Sequence, residues 1–325
     1  MIRMAFSVLL CAVAAQFSVP ARAQGSRDLP SSTVTVVVPL AAGGPADVMA
    51  RLIAQKLSPR IDRTVVVDNK PGAGGNIGAA YVAKAKPDGL TWLYTIDTVL
   101  TVNPHIYASQ GFDPVKSFVP AGRFGHNLLI LAVNAAKVPA KTFADLLAFS
   151  RKSPVNFGSA GVGSPGHLAF ESLRMRTGIN GNHIPYRGAN PVMNDLVAGN
   201  IEAAFITAGA LLPYIEKGDL RGLATSANAR IPAIPTIPSA DEAGIKGFEL
   251  RVGNYLLAPA GTDAKLVEEI GSHLKAIIEM PDVRERLATL SVEPVFTGPE
   301  EAAQRLVDDR KKMGEITAAV GMKPN

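Results

Sequence analysis

Val34-Thr-Val-Val-Val38 runs directly into Pro39-Leu-Ala-Ala-Gly-Gly-Pro45, and the fold class is most clearly indicated by this stretch. A β-branched run without polar alternation is typical of a strand that is buried on both faces of a parallel sheet. The glycines that follow indicate a tight loop. A proline just after them indicates the first position of a helix, where its missing N–H costs nothing. The stretch therefore predicts a strand, a glycine-bearing loop and a helix in succession.

The same succession recurs at Val155-Asn-Phe157, which runs into Gly158-Ser-Ala-Gly-Val-Gly-Ser-Pro165. Elsewhere short apolar runs alternate with helical patterns, which predicts an α/β fold of mostly parallel sheets flanked by helices. The predicted strands are Val34–Val38, Thr64–Val67, Thr91–Thr95, Leu128–Val133, Val155–Phe157, Ala203–Ile206, Gly222–Thr225 and Tyr255–Ala258. The predicted helices are Asp47–Leu57, Ile77–Ala85, Phe143–Arg151, His167–Thr177, Val192–Ala198, Ala264–Glu279, Val283–Leu290 and Glu300–Val320.

The length of the chain, 325 residues, predicts two domains. With 47% hydrophobic and 19% charged residues, the composition excludes a disordered chain, a collagen and a coiled coil. Two long apolar stretches, His126–Val133 and Leu250–Ala258, are predicted to cross between domains. They divide the chain into a discontinuous first domain, 30–127 plus 254–325, and a second domain, 128–253.

The first 23 residues have the pattern of an export signal. Arg3 opens it, an apolar stretch over 4–15 follows, and Ala21-Arg22-Ala23 supplies a small-x-small cleavage pattern. The alternative, a membrane anchor, is disfavoured because the apolar stretch is shorter than the ~20 residues that a span needs. We therefore expect export to the periplasm and cleavage after Ala23.

Removal of the signal changes both the charge and the cysteine content. The formal charge of +5 falls to +3 when the two signal arginines leave, which is too small an excess to indicate nucleic acid as a partner. Cys11 is the single cysteine, and it leaves with the signal. Leu10 before it argues against an acylated lipoprotein, in which a small residue stands there. The mature chain is thus expected to have no disulfide and no cysteine metal site.

The two glycine loops are candidate anion sites. Glycines let the backbone approach a ligand, and a helix start has unpaired N–H groups and a positive dipole end. Asp47 is expected to partner the dipole or clamp the first loop, and His167 to contact an anion at the second. Ser159 and Ser164 offer hydroxyl donors or helix caps. The alternative is that both loops are merely tight turns.

Two further interpretations involve other chemistry. Gly72-Ala-Gly-Gly-Asn-Ile-Gly78, with Asp97 19 residues beyond it, resembles a dinucleotide fingerprint, but its spacing is G-x-G-x-x-x-G.

Ser164 and His167 offer a competing hydrolytic site, although the nucleophile-elbow pattern fails because Val162 stands two residues before the serine. No metal-ligand spacing, nucleophile–base pair or cofactor motif is evident, which favours binding over catalysis.

Seven segments together resemble the periplasmic solute-binding receptors of tripartite tricarboxylate transporters. They are Val36-Val-Val-Pro-Leu-Ala-Ala-Gly-Gly-Pro-Ala-Asp47, Val66-Val-Asp-Asn-Lys-Pro-Gly-Ala-Gly-Gly-Asn-Ile-Gly78, Lys86-Pro-Asp-Gly89, Asn103-Pro104, Phe112-Asp-Pro-Val115, Pro185-Tyr-Arg-Gly188 and Ala258-Pro-Ala-Gly-Thr262. Several are common alone, but their order and spacing are specific. The resemblance covers nearly the whole mature chain.

The resemblance implies a two-domain, type II periplasmic-binding-protein fold with a cleft between domains. It implies that the two loops hold a ligand carboxylate from opposite sides, largely through backbone amides and water. The ligand-binding residues that it implies, with those read from the loops, are Leu40, Ala41, Ala42, Gly43, Asp47, Asp97, Thr98, Ser159, Gly163, Ser164, His167, Tyr186, Gly188 and Thr207. The second glycine cluster becomes a structural turn, and no cofactor, metal or catalytic residue is implied.

The function implied is hinge-closing capture of a small organic carboxylate and its delivery to membrane transporter subunits. Dicarboxylates, tricarboxylates, amino acids and aromatic acids are the candidate ligands, and we expect a monomer. The rival hypotheses are a sensor subunit for a membrane kinase and an exported hydrolase. The sequence departs from the family pattern at Leu40, where Phe is frequent, at Ala46, where Thr is usual, and at Gly253-Asn254, where an aromatic pair is common.

Overall fold

The computed structural model describes residues 33–231, 234–290, 292–319 and 321–322. The predicted signal peptide and the beginning of the predicted first domain lie outside these residues. The strands are β1 Val34–Val38, β2 Val65–Asn69, β3 Thr91–Ile96, β4 Phe118–Asn134, β5 Val155–Ser159, β6 Gly181–Pro185, β7 Ala203–Thr207, β8 Leu220–Thr225, β9 Arg251–Pro259 and β10 Val292–Thr297. The helices are α1 Pro45–Leu57, α2 Asn76–Ala83, α3 Thr98–Thr101, α4 Asn103–Ile106, α5 Phe143–Ser150, α6 Pro165–Thr177, α7 Ala189–Ala198, α8 Ala208–Lys217, α9 Ala264–Ile278, α10 Pro281–Thr289 and α11 Pro299–Ala319.

One sheet runs through the molecule in the order β2-β1-β3-β9-β4-β7-β5-β6, and β8 and β10 also pair with β4. β1 is parallel to β2 and β3, and β5 is parallel to β6 and β7. The other pairings, which involve β4 and β9, are antiparallel. The α/β fold is confirmed, with a correction: the sheet is mixed, because parallel order is confined to the two three-stranded groups.

Strand β4 links the two halves of this sheet. Its first part pairs with β9, from Phe118 opposite Pro259 to Leu128 opposite Arg251. Its last residues pair with β7 and β8. The sequence predicts only 128–133 of this strand, since proline, glycine and histidine in the first part lower the β-propensity. β4 thus pairs with strands of both halves, whereas β9 pairs with β3 and β4, and the domain boundaries at 127/128 and 253/254 stay a prediction.

Each half has its own apolar core. In the first half, Met49, Ile53 and Leu57 of α1 pack with Trp92 of β3 and with α9. In the second half, Phe157 of β5 belongs to a core that α5 and α6 complete. Full burial of such side chains stabilises the fold by roughly 1.5–3 kcal/mol each. Because α1 and α6 are anchored in this way, the loops that precede them are held rigidly.

Several elements of the structure are not predicted from the sequence pattern, and each has a physical reason. β6 lies at the sheet edge and contains glycine, asparagine, histidine and proline, which are poor strand formers. β10 contains Pro294 beside a register shift, where a proline is tolerated in a strand. α8 contains Pro213 within the helix, which disfavoured a helix prediction there. Within the described residues, no helix is both long and apolar enough to cross a bilayer.

Candidate functional site

The strand order places the two glycine loops at equivalent points. β1 is the middle strand of the group β2-β1-β3, and β5 is the middle strand of the group β7-β5-β6. Strand order reverses at such a middle strand, so the loops after it diverge and leave a crevice at the carboxyl ends of the strands. Both loops line one cleft of about 670 Å³. The cleft is therefore a candidate ligand site on topological grounds alone.

The first loop is held by a network of polar contacts around Asp47, a buried residue in the first turn of α1. Its Oδ2 accepts hydrogen bonds from the Gly43 amide at 2.9 Å and from Arg51 Nε at 3.0 Å. Asn69 of β2 accepts from Arg51 and donates to the Leu40 carbonyl. Burial tends to raise the pKa of Asp47, yet these bonds and the Arg51 charge hold it below its usual value. The loop is thus clamped by an ionised carboxylate.

The second loop is held in the same way around His167, which is buried in the first turn of α6. The Gly163 amide donates to His167 Nδ1 at 3.0 Å, so Nδ1 has no proton and is the acceptor. His167 Nε2 lies 3.7 Å from Glu171, which pairs with Arg174. On its other side, the His167 ring stacks on His183 of β6, with ring centroids 3.7 Å apart.

The two loops have the same backbone geometry in the last two residues before each helix. Gly43 and Gly163 both have φ +76°, a left-handed conformation that glycine adopts without strain. Each helix then begins with a proline after a residue of extended conformation, and no side chain caps either start. In the part of the chain that the structure describes, the amides of residues 46, 47, 166 and 167 make no hydrogen bond. Two helix starts without side-chain caps provide amide donors and positive dipole ends, which is how proteins bind anions at helix N-termini.

The walls of the cleft are mainly apolar, with Leu40, Ile96 and Val162 among them. A narrower extension continues the cleft toward β7 and reaches Phe205 and Thr207. Among the described residues that line the main cleft, Arg187 alone has a charged side chain, and it is exposed. Amide donors, apolar walls and one cation fit an organic anion with an aliphatic body.

The structure brings most of the predicted ligand-binding residues to this region. Those that line the cleft or its extension are Leu40, Ala41, Thr98, Gly163, Ser164, Tyr186, Gly188 and Thr207. Those that support its loops through hydrogen bonds are Gly43, Asp47, Ser159 and His167. Ala42 is exposed in the first loop and is not among the lining residues.

Asp97 requires a correction. Its Oδ2 accepts a hydrogen bond from the Gly253 amide at 2.6 Å, and its side chain lines a different pocket behind β9. Asp97 lies 19 residues beyond Gly78 and was the acidic partner of the dinucleotide interpretation, which this placement disfavours. The glycine cluster over 72–75 is a short 3₁₀ turn, as the resemblance implies, but it also lines the cleft.

Three supporting residues were missed by sequence reasoning. Arg51 and Asn69 clamp the first loop, and His183 supports the second, where its Nε2 lies 2.6 Å from Ser159 Oγ. Arg51 follows Asp47 by four residues on one helix, a spacing that indicates an ion pair. His183 has no comparable signal, because its partners come from residues distant in the chain.

Acidification is expected to destabilise the second loop through His183. Burial, and the nearby His167, lower the pKa of His183 to about 4, below its ordinary value near 6.5. Between these pH values the unfolded chain takes up a proton that the folded protein does not, so stability is lost as pH falls. His183→Gln keeps a polar group near Ser159 but does not titrate. Its melting temperature should decrease less between pH 7 and pH 4 than that of the unsubstituted protein; parallel decreases would contradict this role.

The comparisons with known proteins agree with this geometry. Residues 49–322 match the model of the tripartite tricarboxylate transporter family receptor. A UPF0065 protein from the TAR-I ttuE–ttuC' intergenic region of Agrobacterium vitis is 35% identical over 304 residues, which cover 92% of this chain and 87% of that protein.

Solved structures show the same fold. The periplasmic binding protein BugD is 31% identical with a TM-score of 0.83, and the match covers 91% of this chain and all of BugD. Rpa4515 of R. palustris, solved with adipate, is 30% identical with a TM-score of 0.86, covering 92% of this chain and all of that one. The fold is thus that of periplasmic solute-binding proteins. The chain belongs to the family of tripartite tricarboxylate transporter receptors.

Proposed function

We propose that this protein is an exported receptor that captures a small organic carboxylate in the cleft and delivers it to a tripartite tricarboxylate-type membrane transporter. The observation that carries this proposal is the pair of matched, uncapped helix starts that face one cleft. The family membership and the adipate complex of Rpa4515 support a carboxylate as the ligand. The export signal over 1–23 supports a periplasmic location.

The carboxylate is held by the free amides of residues 46, 47, 166 and 167, with the Ser164 hydroxyl beside them. Ser164 Oγ is buried without a partner in the described part of the chain, so it can donate to a ligand oxygen. Micromolar affinity corresponds to about −8 kcal/mol. Two helix dipoles supply up to about 2 kcal/mol each. The rest comes from hydrogen bonds and from contact of the ligand body with the apolar walls.

A second acidic group on the ligand can pair with a cation on the wall of the cleft. Arg187 follows β6, is exposed on the cleft and has no ion pair within the described residues. A dicarboxylate that spans from the helix starts to Arg187 therefore satisfies both ends, and its methylene chain covers the apolar wall. This arrangement favours dicarboxylates over monocarboxylates.

Closure of the cleft uses the crossing strands as a hinge. β4 runs through both halves of the sheet and β9 pairs with its first part, so a small bend near residues 126–128 and 251–253 brings the loops together. The division into domains 30–127 plus 254–325 and 128–253 is part of this proposal. A closed, water-free cleft strengthens the amide contacts and presents a surface that a transporter or a sensor kinase can distinguish from the open form.

A thermal-shift screen tests the proposal directly. Adipate, malate, citrate, amino acids, nicotinate and benzoate are compared at equal ionic strength and pH 7. A ligand at 100 times its dissociation constant should stabilise the protein by about 2.7 kcal/mol. We expect a dicarboxylate to give the largest shift and small-angle X-ray scattering to show compaction with it. No shift with any carboxylate, or the largest shift with an amine, contradicts the proposal.

The geometry disfavours a hydrolase. His167 Nδ1 accepts from the Gly163 amide and Nε2 faces Glu171, so neither nitrogen bonds to Ser164 Oγ as a general base would. Incubation of the protein with the ligand found in the screen, followed by NMR, should return the ligand unchanged at one equivalent per chain. Product formation that is lost in Ser164→Ala would establish the enzyme instead.

A further inference from the structure

A second cavity, of about 220 Å³, lies on the opposite face of the crossing strands from the cleft. Neighbouring residues of a strand point to opposite faces. Accordingly, Asn127 lines the extension of the cleft, whereas His126 lines this cavity. We call it the back pocket; its walls include Asp97, Arg123, His126, Arg251, Arg305 and Lys312.

Arg123 is an unpaired cation in this pocket. The residue is only 4% exposed, and its Nε is buried without a hydrogen-bond partner. No ion pair or hydrogen bond of its guanidinium group is found in the ranges that the structure describes. A buried charge without a partner is costly. Gly253 makes room for the group, because a Cβ at that position would collide with Arg123 Nε.

His126 lines the same pocket and lies near several positively charged side chains. It is 7% exposed, and neither ring nitrogen makes a hydrogen bond to another residue that the structure describes. Glu293 lies 3.9 Å from Nδ1, which is too far for one. Burial lowers the pKa of His126 to about 3, and the positive charges of Arg123, Arg251 and Arg305 act in the same direction. Three arginines therefore act on an imidazole that has no hydrogen-bond partner among the described residues.

The acidic groups that face the pocket, Asp97, Glu249 and Asp309, form no ion pair with Arg123 or Lys312 within the described residues. Arg251 is paired with Glu249 and with Glu293, each at 2.8 Å. Arg305 lies 3.9 Å from Asp309. Asp97 attracts Arg123 but forms no ion pair with it, and burial raises the pKa of Asp97 to about 7. Arg123 and Lys312 therefore remain without ion pairs among the described residues.

We propose that the back pocket binds a small oxyanion, a phosphate or a carboxylate group, on Arg123 and Lys312. The planar guanidinium fork matches either group with two parallel hydrogen bonds. The volume excludes drug-sized ligands, whose pockets measure about 300–1,000 Å³. The back pocket shares Thr98 with the lining of the cleft and Val252 with that of its extension, whereas Arg123 and Lys312 line the back pocket alone. The proposed site therefore does not depend on the identity of the transported solute.

Calorimetry and thermal shift with inorganic phosphate, sulfate and acetate test this site at pH 7, with chloride at equal ionic strength as the reference. Phosphate or sulfate as the better ligand identifies a phosphate-type site, and acetate identifies a carboxylate site. We expect binding by the unsubstituted protein, at least tenfold weaker binding by Lys312→Gln, and none by Arg123→Gln. Lys311→Gln, which changes an exposed lysine outside the pocket, should bind normally.

Lys312 is exposed on α11, so Lys312→Gln decides the question even where Arg123→Gln does not fold. The cleft variant Arg187→Gln should bind the anion as the unsubstituted protein does, because Arg187 lines the cleft and not the back pocket. The proposal is overturned by equal affinity in Lys312→Gln and Lys311→Gln, by loss of anion binding in Arg187→Gln, or by the absence of binding of all three anions.

Discussion

Replacement of Gly163 with valine is expected to weaken carboxylate binding at least 100-fold, or about 2.8 kcal/mol. A β-branched residue is strained at φ +76°. Its Cβ would also collide with Ile106 Cδ1 of α4. Relief of either strain moves the loop and breaks the bond from the residue 163 amide to His167 Nδ1. The start of α6 then no longer faces the first loop, so one side of the anion site is lost.

Gly178→Val is the matched control for this prediction. Gly178 ends the same helix at φ +65°, and a Cβ there meets no atom within 4 Å. Valine at position 178 therefore causes a similar backbone strain but contacts no residue of the cleft. Isothermal titration calorimetry with adipate, or with the strongest ligand of the screen, should give normal affinity for this variant. Normal affinity in Gly163→Val, or equal loss in both variants, would exclude the second loop from the binding site.

Replacement of Asp47 with alanine is expected to lower the affinity 10- to 100-fold and the free energy of unfolding by roughly 1–3 kcal/mol. The change removes the acceptor of the Gly43 amide and the partner of Arg51 together. The first loop is then free to move away from the cleft. Because Asp47 is buried, its side chain acts on the ligand through the loop rather than by direct contact.

Two variants separate this positioning effect from a general loss of stability. Asp47→Asn keeps an acceptor for Gly43 while it loses the charge that pairs with Arg51, so it should retain most of the affinity. Asp145→Ala removes a carboxylate of the same position in α5, where it accepts from the amides of Lys141 and Thr142 far from the cleft. It should destabilise the protein without changing calorimetric affinity. Affinity loss in Asp145→Ala equal to that in Asp47→Ala would refute a specific role for Asp47.

Comparison of the two loops shows that one backbone geometry forms around two chemically different acceptors. Asp47 with Arg51 and His167 with Glu171 occupy corresponding positions in α1 and α6. In both cases the first residue accepts the amide of a glycine four residues earlier. The backbone needs only an acceptor at this position, so an ionised carboxylate and a neutral imidazole serve equally. The matching φ values of Gly43 and Gly163 follow from this shared bond.

The amino-acid pattern alone predicts the two strand–loop–helix units, most helix positions and the two glycine loops. These features depend on neighbours in the chain: glycine permits a left-handed backbone, and proline suits the first helical position. The resemblance to the receptor family came from the same local segments. These local segments and the resemblance they carry are enough to predict Leu40, Ala41, Gly163 and Ser164 at the cleft, and the structure places all four among its lining residues.

Contacts between residues that are distant in the chain are seen in the tertiary structure alone. Asp97 accepts from the Gly253 amide instead of lining the cleft, and His183 stacks on His167. Arg123 is buried in the same pocket as His126, without an ion pair among the described residues. Each of these contacts depends on strand order and on the length of β4, which arise from packing over the whole sheet. A local pattern sets the conformation of a loop, whereas the balance of burial and charge at a site depends on what long-range packing places around it.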